Sequence, residues 1–196
     1  MKTQMRPLFT LFALLMLITG VLYPLTVTEL AQLFFPTQAN GSLIKANGQV
    51  LGSELIGQDF SGAGFFWGRP SATSTNPYNA FDQASLTGSS GSNLGPLSQA
   101  LVDGVQTRVN VLKSVDPTNT SLIPVDLVTA SASGLDPDIS VAAAYYQIPR
   151  IALARGLSEE FIKNLVDQYT KDRQLGLLGE PRVNVLMLNL ALDGIK

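Results

Sequence analysis

A single long apolar stretch dominates the N-terminal part of the chain. Residues 7–28 form a run of 22 positions without a charge. A hydrocarbon core about 30 Å thick needs roughly 20 apolar helical residues, so this run predicts a transmembrane helix. A cleaved signal peptide is the alternative, but such peptides have a shorter apolar core of about 7–15 residues and a small-residue cleavage site, which is missing here. The helix is therefore expected to remain as an uncleaved anchor.

The charges that flank the apolar run predict its orientation. Lys2 and Arg6 precede the run, and the next base along the chain is Lys45. Because positive residues favour the cytoplasmic side, residues 1–6 are expected in the cytoplasm and residues 29–196 outside it. The chain is thus predicted to be a single-pass membrane protein, with the lipid bilayer as its first partner.

Small residues within the apolar run suggest a contact surface for another helix. Thr10, Ala13 and Gly20 are separated by three and seven positions, which places them on one helix face. In lipid, small residues on one face allow a second helix to approach closely. The alternative is that Gly20 and Pro24 merely occur in a tolerant membrane helix, and the sequence leaves both interpretations open.

Helical periodicity and capping residues recur in the C-terminal half. Apolar positions spaced by three and four predict an amphipathic helix between Leu97 and Lys113. Ser140 is a suitable N-cap for a second helix that ends at Gly156, and Ser158 is a suitable N-cap for a third. These patterns predict two or three helices after the anchor.

Two helical segments have less regular patterns. Pro149 lies within the second predicted helix, and it predicts a kink or a restart at that position. Residues 183–192 are apolar at nearly every position, so periodicity does not separate strand from helix. A buried helix capped by Asn184 is the favoured interpretation.

Short apolar runs bounded by glycine or proline suggest a small sheet. Residues 50–56, 65–67 and 125–129 are predicted strands, and Asn40-Gly41 marks a turn. Residues 71–95 carry almost no periodicity and form a long loop of unassigned role. The predicted fold is an α/β-type (α+β) extracytoplasmic domain with a small sheet and two to three helices, preceded by one transmembrane helix.

Composition excludes several classes of function. Without Lys2 and Arg6, the 13 bases fall to 11 against 15 acids, which gives a net charge of −4 after residue 6. Such a balance is not expected to bind nucleic acid. The chain has no cysteine and no histidine, which removes Ser-His-Asp and Cys-His catalysis and the commonest metal ligand. No catalytic residue, metal site or resident cofactor is therefore predicted.

A membrane-anchored extracytoplasmic hydrolase or a cell-wall-binding protein remains the alternative function. Ser42 and Lys45 match the S-x-x-K pattern of penicillin-interacting serine enzymes. The companion S-D-N and K-T-G triplets are missing, which weakens that interpretation. The sequence also has no G-x-x-x-x-G-K-[ST] phosphate loop, so the chain is not expected to hydrolyse ATP alone.

Residues 130–134 form a distinctive block of small residues, Ala-Ser-Ala-Ser-Gly. Small side chains followed by glycine allow close approach of the backbone to a neighbouring element or to a ligand. The hydroxyl groups could bond a polar partner or satisfy the local backbone. On the residues alone, a tight strand-to-loop transition packed under a helix is favoured over a binding site.

Seven blocks of sequence, in a fixed order, resemble one family across nearly the whole chain. In each block, the chain resembles the C subunit of the Kdp potassium-importing P-type ATPase. The blocks are QANGSLI at 38–44, GSELIGQ at 52–58, GRPSA at 68–72, VTASASGLD at 128–136, YQIPR at 146–150, VNV at 183–185 and LNLALD at 188–193. The resemblance is loosest in the serine-rich loop between Tyr78 and Leu94.

The resemblance implies a non-catalytic accessory subunit in the bacterial plasma membrane. Its implied partners are a channel-like potassium-binding subunit and a P-type ATPase subunit. Its own implied roles are to support assembly and stability of the complex and, as a catalytic chaperone, to raise the affinity of the ATPase subunit for ATP. The implied nucleotide contacts are Ser131, Ser133, Gly134 and Gln147, with ATP possible only through the complex. ATP is cytoplasmic, whereas the flanking charges place these residues outside, and topology is the stronger of the two arguments.

Overall fold

The computed structural model describes residues 2–73, 77–83 and 87–194. The chain divides into two units, one ending at Leu43 and one beginning at Ile44. The first is almost entirely helical, and the second combines helices with short antiparallel strands. The predicted α+β class is confirmed.

The first unit is a long helix whose apolar side chains face outward all round. The stretch Gln4–Phe34 is 31 residues long and apolar enough to cross a membrane. All of its side chains are exposed except the partly covered Ala31, which is typical of a helix that meets lipid rather than water. Its elements are α1 (Lys2–Leu17), a π-helical stretch (Ile18–Leu22), α2 (Tyr23–Phe34) and the one-turn helix α3 (Pro36–Ala39).

The π-helical stretch lies directly before a proline in the chain. Pro24 has no N–H group and cannot continue the regular hydrogen-bond series. The N–H of Tyr23 donates to the carbonyl of Ile18, five residues earlier. The hydroxyl groups of Thr19 and Thr26 each donate to the carbonyl four residues earlier at 2.8 Å. These hydroxyl groups are thus bonded within the helix, as a hydrocarbon environment requires.

Short antiparallel strands make up the sheets of the second unit. The hairpin of β1 (Leu43–Ala46) and β2 (Gln49–Ser53) turns at Asn47 and Gly48, whose φ angles are 50° and 78°. Positive φ at both positions is the signature of a type I′ turn, for which Asn-Gly is the preferred pair. The strand predicted at 50–56 is confirmed in its first part and ends at Ser53.

A three-stranded antiparallel sheet connects distant parts of the second unit. A separate hairpin is formed by β3 (Phe81–Asp82) and β4 (Thr87–Gly88). In the three-stranded sheet, β7 (Arg182–Asn184) is the middle strand, flanked by β5 (Asp138–Ser140) and β6 (Thr170–Lys171). Val183 of β7 pairs with Ile139 of β5 and with Thr170 of β6.

The predicted N-caps are confirmed. The side chains of Ser140, Ser158 and Asn184 accept hydrogen bonds from backbone N–H groups three residues later, at 3.0, 3.2 and 3.0 Å. Gly156 ends its helix with a φ of 66°, the left-handed conformation that glycine adopts without strain. The described part of the second unit has four helices of eight or more residues: α4 (Gln99–Val115), α5 (Val141–Arg155), α6 (Glu159–Tyr169) and α7 (Val185–Leu192).

A kink or a restart was predicted at Pro149, and the restart is wrong because α5 continues through this residue. A proline within a helix removes one backbone hydrogen bond, here the bond to the carbonyl of Tyr145. Gln147, Arg150 and Ile151 are all buried around this point. Their contacts hold the helix together despite the missing donor.

Two predicted strands are also wrong. Residues 125–129 begin with a 3₁₀ turn at Val125–Leu127, since Pro124 fixes the preceding backbone. Residues 65–67 have no strand partner, because side chains rather than a neighbouring strand satisfy their backbone groups. Most of the loop at 71–95 is irregular apart from the β3–β4 hairpin, and positions 74–76 and 84–86 lie outside the described residues.

The core of the second unit lies between α5, α6, α7 and the central sheet. Its buried apolar side chains form one cluster that includes Phe66, Trp67, Leu112, Leu127, Ile139, Ile148, Ile151, Ile162, Val166, Val183, Val185 and Leu188. Among the residues that the structure describes, Phe66 and Trp67 are the only members of the cluster that lie outside the helices, strands and 3₁₀ turn.

Candidate functional site

Residues 62–73 form an irregular segment that enters the core, and we call it the core segment. Phe66 and Trp67 bring two aromatic rings into the buried cluster. A buried backbone must find hydrogen-bond partners, and neither a helix nor a strand supplies them here. Side chains from α4, α5 and α7 supply several of them instead, and the α4 side chain is Arg108, which donates to the carbonyl of Gly68 at 3.4 Å.

Two side-chain amides bind the core segment in the manner of a neighbouring strand. Asn189 of α7 accepts from the N–H of Phe66 at 2.8 Å and donates to its carbonyl at 3.0 Å. Gln147 of α5 does the same for Trp67, at 2.8 and 3.1 Å. Each amide therefore satisfies both backbone groups of one residue.

All four hydrogen-bonding positions of the Gln147 amide are occupied within the chain. Besides the two bonds to Trp67, its nitrogen donates to the carbonyl of Ala143 at 3.2 Å, and its oxygen accepts from Arg150 at 2.7 Å. An amide has two donor hydrogens and two acceptor lone pairs. Gln147 is also only 1% exposed, so a ligand would have to displace existing bonds in order to reach it.

The guanidinium group of Arg150 holds the same segment through carbonyl groups. It donates to the carbonyl oxygens of Ala63 and Phe65, the latter at 2.9 Å. Its carbon lies 4.5 Å from the centre of the Trp67 ring, close enough for a cation–π contact. Burial lowers the pKa of Arg150 to about 10, so the group keeps its charge at neutral pH.

A second cation contacts the same indole. The guanidinium carbon of Arg108 on α4 lies 5.2 Å from the centre of the Trp67 ring. Its Nε donates to the carbonyl of Leu127 at 3.1 Å. Burial lowers the pKa of Arg108 as well. Trp67 is therefore held by its backbone and by both cations.

The serine-rich block 130–134 contacts the far end of the core segment. The N–H of Ser131 donates to the carbonyl of Pro70 at 3.3 Å. The hydroxyl of Ser71 donates to the carbonyl of Gly134 at 2.7 Å. Gly134 has a φ of +67°, and a Cβ atom there would lie 2.6 Å from the Cγ2 of Thr73. The small residues of the block thus permit close approach to a neighbouring segment of the same chain.

Ser133 differs from the other residues of the block because its hydroxyl lies at the surface. The hydroxyl accepts from the N–H of Leu135 at 3.1 Å. Its carbonyl accepts from the hydroxyl of Ser89 at 2.9 Å. The first bond stabilises a local turn, whereas the second joins the block to the loop at 71–95.

Three of the four predicted nucleotide contacts thus lie against the core segment. Ser131, Gly134 and Gln147 each bond the core segment, whereas Ser133 bonds its own loop. Their assignment to nucleotide remains a prediction. Sequence reasoning did not single out Asn189, although it is the one polar residue in an otherwise apolar helix, and that isolation was the available signal.

An open cleft of about 670 Å³ lies beside the central sheet, and its charged groups have partners within the chain. Arg69 pairs with Asp136 at 3.1 Å, and Arg182 pairs with Asp138 at 3.0 Å. Burial raises the pKa of Asp138. Across the residues that the structure describes, no group of three or more His, Cys, Asp or Glu side chains is placed to hold a metal ion.

The predicted packing residues of the anchor lie on the exposed surface of the first unit. Thr10 and Ala13 belong to α1, and Gly20 lies within the π-helical stretch. A Cβ atom at Gly20 would meet nothing within 4 Å. The chain itself therefore gives no packing reason for glycine at this position.

Comparison with known proteins places the chain in a family. The family model described as "K+-transporting ATPase, c chain", KdpC, matches residues 5–194. The chain belongs to the KdpC family. The potassium-transporting ATPase KdpC subunit of Herpetosiphon aurantiacus is 57% identical over 196 residues, which cover 100% of this chain and 98% of the relative.

Other KdpC relatives match over similar lengths. The KdpC subunit of Polaromonas naphthalenivorans is 58% identical over 196 residues, covering 100% of this chain and 97% of its own. That of Polynucleobacter asymbioticus is 57% identical over 194 residues, covering 99% and 100%. These matches span the sequence of both units.

Proposed function

We propose that this chain is the non-catalytic accessory subunit of an ATP-driven potassium importer. The main support is the family match over residues 5–194, which is described as the c chain of a K+-transporting ATPase. A helix that is exposed on every side and contains 22 consecutive uncharged positions supports a membrane location. The sequence has neither a G-x-x-x-x-G-K-[ST] phosphate loop nor an Asp-Lys-Thr-Gly phosphorylation motif. ATP hydrolysis is therefore assigned to another subunit.

The proposed partners are a channel-like potassium-binding subunit and a P-type ATPase subunit, and the proposed role is their assembly and stability. In mild detergent, an affinity-tagged chain should retain two large membrane proteins in fixed ratio. A membrane-anchored extracytoplasmic hydrolase or a cell-wall-binding protein would instead purify alone. Recovery of a solitary chain from cells that express the whole complex would contradict the accessory role.

The proposed topology places residues 1–6 in the cytoplasm and residues 29–196 outside the bacterial plasma membrane. The support is the position of Lys2 and Arg6 before the apolar run. A protease added to intact spheroplasts should degrade the second unit, while a cytoplasmic marker protein stays intact. Protection of the unit, or a mature N-terminus beyond residue 25, would contradict this topology.

We also propose that the ATP-affinity effect implied by the family resemblance operates through the assembled complex. The chain then has no cofactor of its own, and ATP stays on the catalytic subunit. The support is that Gln147 uses all four amide positions inside the core. Replacing Gln147 in the complex distinguishes a direct contact of this chain with ATP from an indirect effect through the assembled complex. Only direct contact predicts a selective rise in the ATP concentration at half-maximal rate.

A further inference from the structure

Three leucines lie together at the exposed end of one short turn. Leu175, Leu177 and Leu178 are 91%, 80% and 59% exposed, and they occupy three of four consecutive positions. A single exposed leucine on a protein surface needs no explanation, but a contiguous apolar patch marks an interaction surface. We call residues 175–178 the leucine tip.

Backbone bonds fix the shape of the leucine tip. Gln174 and Leu178 exchange two N–H···O bonds, both 2.9 Å long, and the N–H of Gly176 donates to the carbonyl of Arg173 at 3.1 Å. An ion pair of 2.6 Å between Arg173 and Glu180 closes the base of the turn. The tip is thus held in one conformation before any partner binds, which reduces the entropy lost on binding.

The backbone of Leu175 carries strain that its side chain does not offset within the chain. Its φ is +54°, in the left-handed region that glycine and asparagine adopt at lower cost than leucine. A leucine that packed in the core would justify this conformation, but this one is almost fully exposed. Backbone strain combined with an exposed apolar side chain points to a role in binding.

The charges around the leucine tip favour a protein partner over a lipid surface. Amphipathic segments that bind anionic lipid carry basic side chains free to contact headgroups. The bases next to the tip are paired with carboxylates of this chain: Lys171 with Glu54, Arg173 with Glu180, and Arg182 with Asp138. Asp172 adds a further negative charge between Lys171 and Arg173, which disfavours an anionic lipid surface, and an apolar centre with a polar rim matches the anatomy of a protein–protein contact.

We propose that the leucine tip inserts into an apolar pocket on the extracytoplasmic surface of a membrane-embedded subunit of the same complex. The inference rests on the proposed function and names the surface through which the second unit binds its partner. Leu175 and Leu177, the most exposed of the three, are the anchor residues. Burying these side chains in a pocket of the partner removes their apolar surface from water, which stabilises the complex.

A cysteine-labelling experiment tests this contact on the full chain. The natural sequence has no cysteine, so Leu177→Cys introduces a single reactive thiol at the tip. Leu122→Cys is the matched control, since Leu122 is 94% exposed and lies outside the tip. A small maleimide should label Leu177→Cys at least tenfold more slowly in the assembled complex than in the chain alone, while Leu122→Cys is labelled at the same rate in both.

The outcomes separate this inference from the function on which it rests. If neither variant assembles with partner subunits and the natural chain also fails to do so, the proposed function falls and the inference falls with it. If the complex forms and Leu177→Cys is labelled at the same rate in both states, only the inference is overturned. Equal protection by vesicles of anionic phospholipid without partner subunits would also overturn it, in favour of a membrane contact.

A second variant separates binding from folding. Leu175→Asn removes the apolar side chain and places a residue that tolerates the left-handed backbone. The thermal unfolding midpoint of the full chain should stay equal or rise, while dissociation from the complex becomes about tenfold faster. Leu122→Asn should change neither measurement. A lowered midpoint with unchanged dissociation would show that the tip serves the fold alone and would overturn the proposal.

Discussion

Both the anchor helix and the core segment must supply hydrogen-bond partners for their backbone N–H and carbonyl groups, and they do so in opposite ways. In the anchor, the polar backbone groups find partners within a few residues along the helix, and the apolar side chains are exposed. In the core segment, the partners are side chains 80 and 123 positions away, those of Gln147 and Asn189. Polar residues in the core of the second unit therefore serve its own backbone, and their burial alone does not indicate a ligand site.

The strongest test of this contrast removes one amide from the core. Asn189→Leu keeps the branched shape and the number of side-chain heavy atoms but leaves the N–H and carbonyl of Phe66 without their partner. Because each of these two buried groups costs about 1–3 kcal/mol when left unsatisfied, we expect a loss of about 2–6 kcal/mol in the free energy of unfolding. Denaturant titration of the full chain in detergent measures it.

The matched control for that change is an exposed asparagine. Asn110 lies on the exposed side of α4 and accepts from Gln106 on the same helix. Asn110→Leu should change the free energy of unfolding by no more than about 0.5 kcal/mol, as is usual for surface positions. Equal effects of the two variants would contradict the role assigned to Asn189.

A pair of glycines tests how tightly the serine-rich block fits against the core segment. Gly134→Ala places a Cβ atom 2.8 Å from the carbonyl oxygen of Ser90 at a φ of +67°, so we expect a loss of about 1–3 kcal/mol in the free energy of unfolding. Gly104 lies within α4 with nothing near its Cβ position. Gly104→Ala should stabilise the chain by up to about 1 kcal/mol, and the opposite ranking would show that the block is loosely packed.

The anchor gives the smallest predicted effect, and it concerns association rather than folding. Thr10, Ala13 and Gly20 are the predicted contact face, so Gly20→Leu should weaken retention of partner subunits by about fivefold, on the order of 1 kcal/mol. Leu15→Ile, on another face, should have no effect. Thermal unfolding of the second unit should be unchanged in both. Equal retention by the two variants would count against the contact face.

Local features of the fold were predictable from sequence, and long-range ones were not. The three N-caps and the Gly156 stop depend on residues within one helical turn, and the structure confirms them. The strand predicted at 65–67 failed because apolar residues between glycines have the pattern of a strand. Only the positions of α5 and α7 in the fold show that amides, rather than another strand, bond this backbone.

The candidate site shows the same difference between local features, which were predictable from sequence, and long-range contacts, which were not. The run of small residues at 130–134 predicted a close backbone approach, and the contacts of Ser131 and Gly134 with the core segment show what approaches. Asn189 was missed because a lone polar residue in an apolar helix does not name its partner. Gln147 was named only through the family resemblance, and the sequence could not show that its amide is fully bonded.

The most direct test of the central claim replaces Gln147 and measures ATP dependence. ATPase rates of the purified complex are recorded against ATP concentration at saturating potassium, with the natural chain, Gln147→Ala and the exposed control Gln106→Ala. We expect Gln147→Ala to lower the thermal stability of the chain while the ATP concentration at half-maximal rate stays within about twofold of the natural complex. A selective rise in that concentration, with normal assembly and potassium response, would contradict the claim that Gln147 serves the backbone of its own chain.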